Sequence, residues 1–280
     1  MPLSQEARQA LIEATRAAAR AEILPRFRRL SADDIAEKTN AQDLVTLADT
    51  LAEAHLRRAI PSFLPDARII GEEGVSADPT ELDGVTQPGL TVVLDPVDGT
   101  WNFARGISVF GTIVAVIEDG QTIFGLLYDP VLDDWIEASR GQGAWYVAGD
   151  HREKLTLGAL PVLSEINGLH SAYGLSAEQW QASAALHGRF GRITSLRASL
   201  WDYRSLVTGS VGFCLNHYLN VWDHAAGALA LTEAGGHVAL LDGSPYDPTL
   251  REGYLLAAGS EDLWHEVAAI FRPAILGPLN

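Results

Sequence analysis

The chain has 280 residues, 47% of them hydrophobic and 20% charged, with 26 Gly and 13 Pro, the composition of an ordinary soluble globular enzyme of one large or two closely joined domains. Its formal net charge of −16 argues against general binding to nucleic acid or anionic membranes, but leaves a phosphorylated substrate open wherever bound cations reverse the local field. A single cysteine, Cys214, excludes an intrachain disulfide and fits a reducing cytoplasm, and no apolar run has the length of a signal peptide or a membrane span.

In chain order, apolar residues at Ala7, Ala10, Leu11, Ala14, Ala18 and Ala21 predict a helix over about 4–24, which Pro25 ends or kinks. A second helix is predicted over about 44–60, stopping before Pro61. Residues 67–70 read as a short strand running into Gly71-Glu72-Glu73-Gly74, and 75–89, aperiodic and rich in Gly, Pro and acids, as a loop. Strand 90–94 follows, then a hairpin of 108–117 and 121–128 about Glu118-Asp119-Gly120, then strands near 133–139 and 143–147. The first half, 1–150, is therefore expected to be an antiparallel sheet carrying helices. Over 151–280, strands are predicted near 166–172, 191–194, 213–219, 237–241 and 254–258, and helices near 176–187, 199–209, 223–234 and 260–271. That alternation has α/β character, with some antiparallel pairing left open, and a site between the two halves is the expected arrangement.

The most informative segment is Asp95-Pro-Val-Asp-Gly-Thr-Trp-Asn-Phe103, directly after the apolar run Leu90–Leu94. Carboxylates at the end of a buried strand are badly placed for packing and well placed for magnesium, which takes oxygen ligands and keeps positions for water and phosphate. Glu72 follows strand 67–70, and Asp223 follows strand 213–219 in Val-Trp-Asp-His-Ala-Ala-Gly. Each has a plainer reading alone: a turn acid for Glu72, a helix N-cap for Asp223, a turn residue for Asp98, a capping residue for Thr100. Together they are three segments that each end an apolar strand with a carboxylate. Such a cluster repels itself unless cations occupy it, as in two-metal sites. A turn or helix beginning at Gly99-Thr100 would aim free N–H groups at a phosphate, and the Thr100 hydroxyl would orient an attacking water.

Gly71-Glu72-Glu73, the 95–103 segment, Trp222-Asp-His-Ala-Ala-Gly227 and the upstream stretch from Lys38 through Asp43-Leu-Val-Thr-Leu-Ala-Asp49 resemble the inositol monophosphatase family of magnesium-dependent, lithium-sensitive phosphatases, in order and spacing covering nearly the whole chain. The resemblance implies a layered αβαβα sandwich of the inositol monophosphatase and fructose-1,6-bisphosphatase type. It also implies a usually homodimeric enzyme, with two or three magnesium ions, that hydrolyses a small phosphorylated metabolite by metal-activated water. By the same resemblance Glu72, Asp95, Asp98 and the Val97 carbonyl bind magnesium, and Asp223 joins Asp95 and Asp98 at a second ion. Thr100, supported by Asp49, positions the nucleophilic water alongside Glu72, and the amides of Gly99 and Thr100 hold phosphate oxygens.

The departures from the family pattern fall on the substrate side. Asn216 stands seven residues before Asp223, where the family typically carries a glutamate against the ring hydroxyls, and Gly212 stands where aspartate is common. Arg197-Ala198-Ser199 replaces a Gly-Ser/Thr-Ala segment; Arg197 pairs with a second anionic group of the substrate or is a surface arginine. Trp101 replaces a small polar residue, and either packs locally or narrows the mouth. His224, beside Asp223, is a candidate for the substrate rim, whereas His55, His170, His187 and His217 show no metal-ligand spacing and Cys214 reads as a small core residue. Inositol phosphates, sugar phosphates including fructose bisphosphate, histidinol phosphate and adenosine 3′,5′-bisphosphate are the candidate substrates. The alternative class is a non-catalytic metal- or ligand-binding regulator on the same fold, against which the retention of every acid and of Thr100 weighs.

Overall fold

Two stacked sheets with helices outside and between them organise the chain, in a computed structural model that describes residues 3–277. Helix α1 (Gln5–Ala18) continues through a π-helical turn at Ala19–Ile23, and a short hairpin, β1 (Ile35–Asn40) and β2 (Asp43–Thr46), leads into α2 (Leu47–Ala59). There follow β3 (Arg68–Gly71), α3 (Glu72–Ala77), β4 (Leu90–Asp98), α4 (Thr100–Ala104), β5 (Gly111–Glu118), β6 (Gln121–Asp129), β7 (Asp134–Ser139), β8 (Gly143–Ala148) and β9 (His151–Leu155). Strands β3 to β9 form a seven-stranded sheet in sequence order, parallel at β3–β4 and antiparallel elsewhere. The remaining elements are β10 (Asn167–His170), α5 (Ala177–Ala184), β11 (Arg192–Thr194), α6 (Ser199–Val207), β12 (Phe213–Asn216), α7 (Val221–Glu233), β13 (His237–Leu240), β14 (Leu255–Ala258) and α8 (Glu261–Ile275). The second sheet has the order β11-β10-β12-β14-β13, parallel across β11–β10–β12 and antiparallel across β12–β14–β13.

The layering follows from strands that are apolar on both faces, as sheets covered on both sides require. In one direction Val92, Leu94, Val114, Val116 and Leu126 pack on α1 and α2 through Leu11, Ala52 and Leu56. In the other, Val93, Ile113, Ala115 and Ile117 meet Leu200 and Tyr203 of α6 and Ala226 and Leu229 of α7. Cys214 and Ala257 of the second sheet join that same core, while Phe213, Leu215 and Leu256 turn outward onto Trp264, Val267 and Phe271 of α8. The order helix, sheet, helix, sheet, helix is the layered sandwich expected. A buried ion pair, Arg204 Nη2 to Asp134 Oδ1 at 2.6 Å, with Tyr146 Oη also donating to Asp134 at 2.7 Å, ties α6 to β7.

Several boundaries differ from expectation. The helix expected from 44 begins at Leu47, because residues 43–46 pair with β1 and Thr46 then caps α2 with its hydroxyl on the Ala48 amide. Asp49 closes the capping box by accepting from the Thr46 amide. Residues 75–89 are not a plain loop: α3 extends to Ala77 and a 3₁₀ helix covers Pro79–Thr86. Strand β4 runs on to Asp98, so both aspartates lie within the strand and not beyond it. Strand β9, which has no apolar period to announce it, is a charged edge carrying His151, Arg152, Glu153 and Lys154 to solvent. Strand β12 stops at Asn216, short of the expected 219. Among the described residues no helix is long and apolar enough to cross a membrane.

Candidate active site

In a regular strand, side chains three apart point to opposite faces. Asp95 and Asp98 escape this because the β4–β5 register is interrupted between Asp95↔Ile113 and Asp98↔Gly111, a bulge containing Pro96, which has no N–H to donate to a ladder. The displaced pairing changes the parity, and both carboxylates reach Asp223 from α7. One oxygen from each of Asp95, Asp98 and Asp223 lies within 4.8 Å of the other two. Gly99 then turns the chain at φ 83°, where a Cβ would stand 2.8 Å from the Val109 carbonyl oxygen, so glycine is required to start α4 at Thr100.

Asp98, Asp223 and Glu72 are each held by a hydrogen-bond donor. The Ser199 and Leu200 amides at the start of α6 donate to Asp98 Oδ1 and Oδ2 at 2.9 and 2.7 Å, and the favourable end of the helix dipole faces the carboxylate. Asn220 Nδ2 donates to Asp223 Oδ2 at 2.9 Å; the N-cap position of α7 belongs to Asn220, so the plainer capping reading of Asp223 is corrected. Glu72 opens α3, whose first amides donate to the Glu53 carboxylate from Glu73 and Gly74, both at 2.9 Å. Glu53 comes so close that a Cβ on Gly71 would lie 2.2 Å from it. Lys38 Nζ donates to Glu72 Oε1 and Glu73 Oε1, each at 2.7 Å. The Thr100 hydroxyl lies 3.0 Å from both Asp49 Oδ1 and the Val97 carbonyl, and Asp49 Oδ2 accepts from the Thr46 hydroxyl at 2.5 Å.

The electrostatics are those of an anionic cluster out of water. Burial first, then the charges of Glu72, Asp98 and Asp223, hold the Asp95 carboxyl well above its ordinary range. Asp98 is raised by burial and by Asp223, against the lowering influence of its two amide donors. Glu72 and Asp223 are also raised, chiefly by burial, with Lys38 and Asn220 respectively opposing most strongly. Burial likewise lifts Asp49 to about 6. Asp95 Oδ1 is a buried acceptor with no hydrogen-bond partner among the described residues. An all-oxygen donor set, convergent and with an orphaned buried oxygen, fits a hard divalent cation, which would remove the repulsion and fill the missing contact.

The other sequence candidates divide. Arg197 stacks on Trp101, its guanidinium carbon 4.0 Å from the ring centroid. Asn216 is half-buried and donates to Cys214 Sγ at 3.3 Å, at the end of β12. His224 is not at a rim: it is buried, with Nδ1 against Tyr203 Oη at 3.1 Å and Nε2 against the Tyr218 carbonyl at 2.7 Å, so both ring nitrogens are engaged inside the fold. Gly212 is also not a substrate position, since a Cβ there would meet Ile166 Cγ2 at 2.5 Å within the second sheet's outer core.

Two neighbours of the site escaped sequence reasoning, and a third, Lys38, entered it only as the start of the upstream motif, without a role. Lys38 gave a weak signal as one of two lysines in the chain. Arg105, 3.9 Å from the Trp101 ring centroid, gave none. Asp202 on α6 carries a buried Oδ1 with no hydrogen-bond partner among the described residues and is raised to about 7 by burial and by Asp223, its other oxygen accepting from the Cys214 thiol at 3.5 Å.

Residues 4–275 match the sequence model of the inositol monophosphatase family. A fructose-1,6-bisphosphatase/inositol-1-monophosphatase of Thermotoga maritima is 29% identical over 215 residues, 75% of this chain and 77% of its own length. The Nus factor SuhB of Haemophilus influenzae is 31% identical over 251 residues, covering 85% of this chain and 86% of that protein. In three dimensions, the solved Thermotoga maritima IMPase superposes with a TM-score of 0.78 at 24% identity, over 94% of this chain and 95% of that one. The chain belongs to the inositol monophosphatase family and, with it, to the phosphoric monoester hydrolases that act on small phosphorylated metabolites.

Proposed function

We propose that the chain is a magnesium-dependent phosphomonoesterase in which Asp95, Asp98, Asp223, Glu72 and the Val97 carbonyl hold two or three ions. The observation that carries this is the convergence of three carboxylates, two of them buried and one of these with an oxygen that has no hydrogen-bond partner among the described residues, next to a hydroxyl already oriented by Asp49. When bound, the ions supply an acidified water and charge neutralisation for the phosphate and leaving oxygen. The remaining work falls to the chain. With its proton directed at Asp49 Oδ1 or the Val97 carbonyl, the Thr100 hydroxyl presents lone pairs outward and accepts a hydrogen bond from the attacking water. Glu72 accepts the proton that water gives up, and Lys38 keeps the Glu72 carboxylate in place. The Gly99 and Thr100 amides at the turn donate to the phosphate oxygens, so no covalent phosphoenzyme is required.

On this reading the halves 1–150 and 151–280 meet at the site, the first supplying Asp49, Glu72, Asp95, Asp98 and Thr100 and the second Asp223. A cytoplasmic homodimer is the form proposed, on the single unpaired cysteine and the family membership. The test is phosphate release from inositol 1-phosphate, fructose bisphosphate, histidinol phosphate and adenosine 3′,5′-bisphosphate, with magnesium and with chelator. Magnesium-dependent turnover of at least one is expected. Folded protein that turns over none would favour a ligand-binding regulator on the same fold.

A further inference from the structure

Two glycines bracket Glu72 and Glu73, and each leaves room for one member of a single ion pair. A Cβ on Gly71 would lie 2.2 Å from the Glu53 carboxylate, and one on Gly74 would lie 2.0 Å from Arg57 Nη2. Arg57 Nε donates to Glu53 Oε1 at 2.8 Å, one helical turn along α2. Segment 71–74 therefore rests directly on the pair. Neither glycine has a positive φ, so close approach, and not backbone freedom, is what excludes a side chain there.

The pair grips the backbone on both sides of Glu72. Glu53 Oε2 accepts from the Glu73 amide and Oε1 from the Gly74 amide, both at 2.9 Å. Arg57 Nη1 donates to the Ile69 carbonyl at 3.2 Å, and Nη2 to Glu81 Oε2 at 2.6 Å in the 3₁₀ helix beyond α3. Glu53 is buried and sits on α2 four residues after Asp49, which is also buried. That spacing puts the two carboxylates on one helix face, about 6 Å apart along the axis. Asp49 holds the Thr100 hydroxyl at 3.0 Å, while Glu53 holds the turn that begins with Glu72. The two supports are close enough that the Asp49 carboxyl, raised chiefly by burial, is raised further by the Glu72 charge.

Stability is a poor reason for such a pair. Taking a carboxylate out of water offsets most of what the pairing returns, and apolar contacts would join α2 to α3 at lower cost. What Glu53 supplies is a fixed position, because three donors converge on one carboxylate. We infer that Glu53 is a positioning residue: by holding the Glu73 and Gly74 amides, it sets where the Glu72 carboxylate stands relative to the Thr100 hydroxyl. One face of α2 then fixes the separation between the group that takes the water's proton and the group that orients the water. The inference rests on the phosphatase reading for the tasks of Glu72 and Thr100, and deepens it by naming what places them. Lys38 holds the Glu72 side chain from the β1–β2 hairpin, and Glu53 holds the backbone beneath it.

The test measures magnesium binding to substrate-free protein by calorimetry, beside steady-state kinetics and thermal unfolding. Glu53→Gln keeps the shape and one acceptor oxygen, but turns an amide N–H toward a donor. It is expected to weaken magnesium binding at least tenfold, the scale on which groups that orient a metal ligand act. It should also lower kcat while KM for the phosphorylated substrate stays within threefold. Glu53→Asp keeps the charge but withdraws it by one carbon, so it should weaken magnesium binding too, which a need for charge alone would not produce. Leu56→Ala, on the apolar side of the same helix, should lower Tm and leave magnesium affinity within twofold. Should Glu53→Gln fail to fold, Glu53→Asp decides alone. Wild-type magnesium affinity in the folded Glu53 variants, or an equal loss in Leu56→Ala, would overturn the positioning role. A tenfold loss of affinity in the Glu53 variants of a protein that turns over no phosphate ester would overturn the phosphatase reading alone.

Discussion

Asp95→Asn is expected to lower kcat for phosphate release about 10³-fold, the scale on which a lost charge-stabilising group acts, while raising the Tm of the metal-free protein. The amide matches the carboxylate in shape, so the orphaned position of Asp95 Oδ1 stays filled. What disappears is a negative charge that burial, Glu72, Asp98 and Asp223 all oppose. The pH dependence has a definite sign. A carboxyl raised in the folded state favours folding below its unfolded value near 3.9, and that contribution is lost as pH rises toward the folded value. Each pH unit across that window costs the wild type about 1.4 kcal/mol per group, and the Asn variant is spared it at this position. In chelator, the Tm advantage of Asp95→Asn should therefore widen as pH rises above the unfolded value near 3.9, by roughly 2–4 °C per kcal/mol in a chain of this size. Added magnesium should erase or reverse the gap, because it stabilises only the form that binds it. A Tm difference independent of pH would mean that the acid cluster is not under repulsion.

Thr100→Val should reduce kcat about 10²-fold with a smaller change in KM, whereas Thr100→Ser should keep most of the activity. Valine preserves the branched shape at the start of α4 but removes the hydroxyl between Asp49 and the Val97 carbonyl. The water then loses its acceptor, and Asp49 Oδ1 loses a buried donor, which adds a stability cost of about 1–3 kcal/mol. Steady-state kinetics on one substrate and thermal unfolding of both variants give the readout. A kcat for Thr100→Val within threefold of wild type would remove Thr100 from the reaction.

How much of this is legible beforehand depends on whether the cause is local. Asp95, Asp98, Gly99 and Thr100 fall within one six-residue stretch, directly after an apolar run that the sequence displays. The alternation after His151 likewise announces an α/β second half, and its mixed sheet follows. The bulge that brings Asp95 and Asp98 to one side is a property of pairing with β5, which no single strand encodes, although Pro96 marks the place. Strand β9 is held by its neighbour β8 and has no apolar face of its own to betray it. Partners distant in sequence are the least legible: Lys38 meets Glu72 across 34 residues, and Asn102 meets the Leu196 carbonyl across 94. His224 shows the converse, since adjacency to Asp223 suggests the site while helical geometry turns the next side chain into the core.

The most direct test is a magnesium titration of chelator-stripped wild-type protein, followed by release of inorganic phosphate from the best substrate in the panel. If Asp95, Asp98 and Asp223 work by holding magnesium, the rate should be negligible in chelator, rise at least a hundredfold to saturation with magnesium, and stay flat in Asp95→Asn over the same range. A chelator-resistant rate equal to the magnesium-saturated one, or a normal titration in Asp95→Asn, would contradict the metal-held site.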